Sequence, residues 1–272
     1  MSESYSCNVL IDPPAEGSWN MALDEALLEH VASGNDAVWL RFYQWREPTL
    51  SLGYFQPLSR WRDHVRQDCV VVRRQTGGGA ILHDRELTYS LVFPPRHPLA
   101  RGTQELYTRV HEALVAALAR FAVAAQLWPN REAARGDEAF LCFLRRGSGD
   151  VVVRASAAEG PAGDAVPRKS SGASTSDFKI CGSAQRRRRG ALLLHGSLLL
   201  ATSPVAPQIP GLEEVTGSSL SPAEARGAWL EELAPLLAKC LPRPGELPNK
   251  VRHAAERLQR EKYSAAGWTA RR

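Results

Sequence analysis

The sequence predicts a globular domain that contains both helices and strands, and three observations lead to this prediction. Residues 18–33 and 103–121 carry apolar side chains close to helical spacing. Short runs rich in β-branched and aromatic residues are typical of strands, and they are AVWLRFYQW, TLSLGYF, CVVVRR, AILHD and LTYSLVFP. Further along, FKICGSAQ and ALLLHGSLLL predict the two strands of a hairpin connected by RRRRG.

The composition fits this fold class. The chain has 272 residues, of which 44% are hydrophobic and 23% are charged, and it is long enough to bury a substantial core. No apolar run reaches the roughly 18 to 20 residues that span a bilayer, and the first residues lack the order of a secretory signal. We therefore expect a cytoplasmic protein that does not bind membranes.

The helix-end signals suggest how the chain is divided. Ser18 is a plausible N-cap of the first helix and Gly34 a plausible stop. A second start signal, SPAE, opens at Ser221, and a last helical stretch covers about 249–263. We expect a main domain over 1–220 and a small helical appendage over 221–272. Residues of about 154–176 contain almost no large apolar side chain and predict a mobile surface insertion.

Charge and cysteine content limit the classes of partner and cofactor. The net charge of +5 favours an acidic partner: nucleic acid, a phosphorylated small molecule or an acidic protein. No recognition helix, zinc finger or aromatic-basic motif is present, so we expect no nucleic-acid binding. The run Arg186 to Arg189 is either a solvated hairpin turn or a docking patch for an acidic carrier or acceptor protein. Five widely spaced cysteines without a C-x-x-C pair predict neither a disulfide framework nor a zinc site.

The stretch RRQTGGGAILHD, residues 73–84, is the clearest candidate for ligand contact. Three consecutive glycines cost conformational entropy, which suggests that the backbone must approach something closely. The stretch matches neither a P-loop nor a dinucleotide fingerprint. It predicts either bare backbone against which an extended ligand lies, with Arg73, Arg74, His83 and Asp84 as polar contacts, or a glycine-rich hairpin without a ligand.

Two cysteines and a lysine could form a reactive thiol. Taken alone, Cys142 in FLCFLRR is typical of a buried structural cysteine and Lys179 of a solvated strand lysine. If the fold brings them together, the ammonium stabilises a thiolate nucleophile. Cys181 shares a strand face with Lys179 and is the second choice. His195 is either a satisfied core histidine or a group that lines the ligand site, and no G-x-S-x-G supports a serine hydrolase.

Taken in order, NMALDEALL, LGYFQP, RRQTGGGAILHDRELTYSLVFP, CF, KICGSAQRR and LLLHGSLLL resemble the lipoate- and biotin-protein ligase superfamily. The resemblance covers roughly residues 10–215, and it looks closest to the LipM-like, cysteine-dependent octanoyltransferases. It implies an α+β catalytic-domain fold, with a mixed, mostly antiparallel sheet and flanking helices.

The resemblance also implies an activity and a site. The activity is transfer of an octanoyl group from acyl carrier protein to a lysine of a lipoyl domain, such as the glycine cleavage H protein, with no cofactor and no metal. The CF step matches Cys142 as the acyl-accepting thiol, and the lysine before GSAQ matches Lys179. We expect the remaining residues to bind substrate: Arg74, Gly77, Gly78, Gly79, His83, Gly182, Ser183, His195 and Gly196.

Two other functions stay open on the residues alone. The glycines and Lys179 would also suit an ATP-dependent lipoate-protein ligase that forms an acyl-adenylate. A non-catalytic acyl-binding or partner-binding protein, which docks a partner through the arginine run, is the alternative of another class.

Overall fold

A computed structural model describes residues 5–65, 69–129, 139–155, 177–237 and 242–271. Within these ranges the strands form a sheet of eight and a smaller sheet of three. Their bounds are β1 Cys7–Ile11, β2 Val38–Tyr43, β3 Thr49–Leu52, β4 Val70–Arg73, β5 Ile81–His83, β6 Glu86–Phe93, β7 Ala125–Leu127, β8 Val151–Arg154, β9 Asp177–Arg188, β10 Ala191–Leu199 and β11 Arg243–Pro244.

Four of the helices match predicted helical stretches, whereas the short third and sixth helices were not predicted. The helices are α1 Gly17–Ala32, α2 Thr103–Ala119, α3 Leu212–Thr216, α4 Pro222–Leu237, α5 Asn249–Leu258 and α6 Ala266–Thr269, with a π-helical turn at Gln259–Tyr263 after α5. The predicted cap of α1 is wrong, because the N-cap is Glu16 and Ser18 lies inside the first turn. The Ser18 hydroxyl instead accepts a hydrogen bond from Gln259. None of the helices among the described residues is long and apolar enough to cross a membrane.

The large sheet has the order β11-β1-β2-β6-β10-β9-β8-β7. Strand β1 pairs in parallel with β2 and β11, and every other neighbouring pair in this sheet is antiparallel. The predicted α+β fold with a mixed, mostly antiparallel sheet is thus confirmed. The small sheet, β4-β3-β5, carries the chain into and out of the glycine stretch.

Strand alternation gives the large sheet two apolar faces, each covered by helices. On one face Leu40, Leu91 and Leu194 pack with α2 and α4. On the other face Trp39 and Leu193 pack with α1 and α5. Successive side chains of a strand point to opposite faces, so the nearly continuous apolar runs of β2, β6 and β10 fill both layers.

The hairpin of β9 and β10 corrects one expectation about the arginine run. Only Arg189 and Gly190 form the turn, and both have positive φ, 44° and 86°. Positive φ at both central residues is typical of a type I′ turn, whose twist matches that of the strands. Arg186, Arg187 and Arg188 therefore belong to β9 rather than to its connection.

The C-terminal residues contact both layers. The predicted capping box is present, since Glu224 N–H donates to Ser221 Oγ over 3.2 Å and Ser221 N–H donates to Glu224 Oε2 over 2.9 Å. Trp229 of α4 is fully buried in the core that α2 covers, and β11 extends the edge of the large sheet. The predicted boundary at residue 220 stays a prediction. The predicted insertion at about 154–176 lies outside the described residues except for its first two positions.

Candidate active site

The structure brings Cys142 and Lys179 together although 37 positions separate them, with 3.5 Å between Lys179 Nζ and Cys142 Sγ. Cys142 begins a short 3-10 turn and is half-buried. Its backbone N–H donates to the carbonyl of Ala80 over 2.7 Å, and Ala80 N–H donates to Phe140 over 3.0 Å. This bridge fastens the cysteine to the end of the glycine stretch.

A β-bulge in β9 directs the lysine. Against β8, the register pairs Val151 with Cys181 but Val152 with Lys179, so β9 holds one extra residue at this point. Ile180 and Cys181 consequently both face the core, while Lys179 points to Cys142. The prediction that Cys181 shares a face with Lys179 is wrong, because the bulge breaks the two-residue alternation.

Cys181 is therefore a poor rival thiol. It is fully buried, and burial raises the pKa of its thiol well above the ordinary value. A thiol that stays protonated in an apolar layer cannot serve as a nucleophile.

Asp150 forms an ion pair with Lys179. Its Oδ2 lies 2.9 Å from Lys179 Nζ and accepts a hydrogen bond from Gly147 N–H over 2.6 Å. Its Oδ1 accepts from the Tyr107 hydroxyl over 2.5 Å. Burial alone would lower the pKa of Lys179, but the Cys142 sulfur and the Asp150 carboxylate outweigh burial and raise it. The lysine is thus a buried ammonium in contact with both the Asp150 carboxylate and the Cys142 sulfur.

Sequence reasoning missed Asp150. Its only signal is its place after GSG at the start of the strand VVVR, and turn aspartates are too common in that position to indicate a role.

Gly182 makes room for the lysine side chain. A Cβ atom at this position would lie 2.4 Å from Lys179 Cε and 2.6 Å from Nζ. The predicted site residue Gly182 therefore lies directly under the lysine, and its role is to let that side chain fold across the strand.

A buried hydrogen-bond chain lies on the other face of β9, behind Lys179. His111 Nδ1 donates to the Gly149 carbonyl over 2.6 Å, and burial lowers the pKa of His111 to about 4. The neutral ring accepts at Nε2 from Ser183 Oγ over 2.7 Å, and Ser183 in turn accepts from Tyr89 over 2.6 Å. The hydroxyl of the predicted site residue Ser183 is thus committed on the opposite side of the strand from Lys179.

The glycine loop, Gly77–Gly79, is held in shape by Arg74. This buried guanidinium donates to the carbonyls of Gly77 and Gly79 over 2.8 and 2.7 Å, and to Ser51. Burial lowers the pKa of Arg74 to about 10, although the Cys142 sulfur opposes this effect. Gly78 has φ +93°, a conformation that side chains rarely adopt. The sequence RRQTGGG therefore gives a backbone turn supported from inside by its own arginine.

A cleft that is open to solvent and has an empty volume of about 290 Å³ lies between the large and small sheets. It contains four of the predicted site residues, Arg74, His83, His195 and Gly196. The full lining is Met21, Tyr43, Ser51, Arg74, Ile81, His83, Thr88, Ala184, His195, Gly196 and Ser197. Ser197 pairs across the sheet with Gly182, and Ile81 follows Ala80, so the cleft adjoins the Cys142–Lys179 contact.

The two cleft histidines are held by buried polar partners. His195 Nδ1 lies 3.0 Å from Asp24 Oδ2, and its Nε2 lies 2.7 Å from the Thr76 hydroxyl. His83 Nδ1 lies 2.7 Å from Glu86 and its Nε2 lies 2.7 Å from Ser51. Each ring nitrogen thus has a partner, and the rings form a fixed wall of the cleft. In the described part of the chain, no group of three metal-ligating side chains is arranged to hold a metal ion.

Asp24 was also missed from sequence. Burial would raise its pKa, but the hydrogen bond from His195 and the charge of Arg41 outweigh burial and lower it. Helical spacing places Asp24 among apolar neighbours of α1, which gives no sign that a histidine far along the chain lies beside it.

The sequence matches a protein-family model and several curated relatives. Residues 16–223 match the family model described as the lipoyl protein ligase A/B catalytic domain. The chain is 33% identical over 286 residues to a protein of Kyrpidia tusciae named octanoyltransferase LipM, and the match covers 94% of this chain and 95% of that protein. It is 34% identical over 196 residues to the protein of the same name from Oceanobacillus iheyensis, with 71% of this chain and 63% of that protein covered.

Solved structures give the same fold. A lipoate-protein ligase A bound with ATP superposes with a TM-score of 0.70 at 22% identity, covering 97% of this chain and 98% of that one. The putative lipoate protein ligase Ta0514 from T. acidophilum superposes with a TM-score of 0.68 at 21% identity, covering 99% of this chain and all of that one.

Proposed function

Because the chain belongs to the lipoyl protein ligase A/B catalytic-domain family, and its relatives over most of its length are octanoyltransferases, we propose that it transfers an octanoyl group from acyl carrier protein to a lipoyl-domain lysine, through a thioester on Cys142. The observation that carries this proposal is the 3.5 Å contact between Lys179 Nζ and the half-buried Cys142 sulfur, beside a cleft.

In the first half-reaction the Cys142 thiolate attacks the carbonyl carbon of the octanoyl thioester. A new carbon–sulfur bond forms to Cys142, the bond to the carrier's sulfur breaks, and the carrier leaves as its thiol after taking up a proton. The ammonium of Lys179 stabilises the attacking thiolate. Backbone N–H groups near the glycine loop or Gly182 are the candidates to stabilise the tetrahedral oxyanion.

In the second half-reaction the free amine of the acceptor lysine attacks the same carbonyl carbon. An amide forms, the bond to the Cys142 sulfur breaks, and the amine loses one proton. Lys179 favours this step too, because the departing sulfur is again an anion beside the ammonium. The enzyme therefore needs neither ATP nor a metal ion to activate the acyl group.

Transfer without ATP and Mg²⁺ tests this proposal. We expect the purified protein to move octanoate from octanoyl-carrier protein to a lipoyl domain in their absence, with ping-pong kinetics. Cys142→Ala should abolish transfer, whereas the matched variant Cys181→Ser should retain it, because Cys181 lies away from the lysine. Transfer by Cys142→Ala at the unmodified rate would overturn the thioester mechanism.

The contrasting outcomes identify the alternatives. A requirement for ATP and Mg²⁺ would point to an acyl-adenylate ligase, which the octanoyltransferase relatives do not favour. Absence of turnover with either chemistry would leave the non-catalytic binding protein.

A further inference from the structure

The far end of β9 carries positive charge along the same side of the sheet as the cleft. Arg186 pairs across the hairpin with Leu193, and Ala184 pairs with His195. Alternate residues of a strand share a face, so Arg186 lies on the same face as Gly182 and the cleft residue Ala184. Arg186 lies four positions after Gly182 on the strand, which is about 13 Å at about 3.3 Å per residue. The side chain of Arg186 is exposed.

Arg186 also lies beside the glycine loop. Its guanidinium carbon is 5.7 Å from the centre of the Tyr54 ring. Tyr54 N–H donates to the Thr76 carbonyl over 2.9 Å, next to Gly77. Tyr54 therefore connects the charged end of β9 to the loop that adjoins the cleft.

A second exposed cation comes from the C-terminus. The guanidinium carbon of Arg271 lies 4.5 Å from the Tyr54 ring centre and 4.7 Å from that of Trp268. Trp268 Nε1 donates to the Arg73 carbonyl over 2.8 Å, and the buried Arg73 guanidinium donates to the Thr269 carbonyl over 2.7 Å. The last helix is thus fixed to the strand that leads into the glycine loop.

We define the cationic rim as Arg186 and Arg271 with the rings of Tyr54 and Trp268. Lys262 lies near Trp268 but is paired with Glu25, and Arg188 is paired with Glu29. Across the described ranges, neither Arg186 nor Arg271 has a carboxylate within ion-pairing distance. Exposed positive charge without a partner in the chain is suited to an acidic partner.

We propose that the cationic rim docks an acidic face of the carrier protein that delivers the acyl group, an inference that rests on the proposed function. At about 13 Å from Gly182, the rim is placed to suit the donor. A carrier holds its thioester at the end of a long prosthetic arm and can dock well away from Cys142. The acceptor amine sits on a four-carbon side chain, so the acceptor must dock close to the sulfur.

The test separates the two half-reactions and the two kinds of donor. Loading of Cys142 is followed by intact mass with octanoyl-carrier protein and with octanoyl-pantetheine, which has no protein surface. Transfer is followed from enzyme already loaded by octanoyl-pantetheine to a lipoyl domain. The variants are Arg186→Glu and Arg271→Glu, with Arg109→Glu as control, because Arg109 is exposed on α2, which packs on the other face of the sheet.

We expect each rim variant to lower kcat/KM for loading from carrier protein about tenfold at low ionic strength, with a smaller difference in high salt. Loading from octanoyl-pantetheine and transfer to the lipoyl domain should stay within twofold of the unmodified enzyme, and Arg109→Glu should change neither half-reaction.

Three results would overturn the inference: unchanged loading from the carrier, an equal loss with octanoyl-pantetheine, or a loss confined to transfer, which would assign the rim to the acceptor. Failure of the proposed function is a distinct result, since Cys142 of the unmodified protein would then accept an octanoyl group from neither donor.

Discussion

Replacement of Gly182 by alanine tests how the structure positions Lys179. The added Cβ would lie 2.4 Å from Lys179 Cε, 2.6 Å from Nζ and 3.1 Å from Asp150 Oδ1. Contacts this short cannot persist, because non-bonded carbon atoms are in optimal contact at about 3.5 to 4.0 Å. The flexible end of the lysine must therefore withdraw from the strand, while the backbone stays in place.

The expected size of the effect follows from Coulomb's law. At an effective dielectric constant of about 20, an ammonium and a thiolate 3.5 Å apart attract by about 4.7 kcal/mol. A displacement that lengthens this distance to about 5 Å would leave about 3.3 kcal/mol. The difference of about 1.4 kcal/mol corresponds to about a tenfold smaller thiolate population.

Alkylation with iodoacetamide at pH 7 measures this population directly. The modified peptide is identified by mass spectrometry, which separates Cys142 from the other thiols; of these, Cys7, Cys69 and Cys181 are buried. We expect Gly182→Ala to alkylate about tenfold more slowly at Cys142. Gly77→Ala is the matched control, because a Cβ at that position would have no atom within 4 Å.

Alkylation of Gly182→Ala at the unmodified rate would refute this reasoning. It would mean either that the lysine does not lie across Gly182 or that its charge does not stabilise the thiolate. An equal slowing in Gly77→Ala would attribute the effect to the glycine-rich backbone instead.

Three further predictions concern stability. Asp150→Ala should lower the free energy of unfolding by about 3 kcal/mol, measured by urea titration, because it leaves the buried ammonium of Lys179 without its carboxylate; a change below about 1 kcal/mol would contradict the buried pair. Gly78→Ala should cost about 1 to 3 kcal/mol because of its φ of +93°, and a thermal melt that matches that of Gly77→Ala would argue against a strained loop. The His111 side chain binds its proton more weakly in the folded state, where its pKa is about 4, than in the unfolded chain, where it is about 6.5. The free energy of unfolding therefore keeps the full contribution of His111 above pH 6.5 and loses up to about 3 kcal/mol of it as the pH falls toward 4. Urea titrations of His111→Gln should show a smaller loss of this free energy over the same pH interval.

Much of the fold could be predicted from periodicity and motif order. The ends of helices α1 and α2 and of strands β2 to β6 lie within three residues of the ends of the predicted runs, because these segments alternate or repeat apolar residues regularly. The arginine run was harder, since a type I′ turn with arginine at the first central position does not look like an Asn-Gly turn.

The site was predictable only in part. Resemblance singled out Cys142 and Lys179, and the fold places them in contact. Their partners could not be predicted, because the β-bulge after Lys179 and the ion pair with Asp150 depend on how β8 and β9 align. Local sequence does not determine that alignment, since side chains from separate strands meet only when the sheet has formed.

The acyl-enzyme itself provides the most direct measurement. The protein is incubated with octanoyl-carrier protein without acceptor, ATP or metal ion, and its peptides are mapped by mass spectrometry. We predict one octanoyl group on the peptide that contains Cys142, released by hydroxylamine and lost when a lipoyl domain is added, as that domain gains an equal mass. Two results would contradict this mechanism. One is transfer to the lipoyl domain without such an adduct. The other is an octanoyl group on a different residue that passes to the lipoyl domain as fast as the overall transfer.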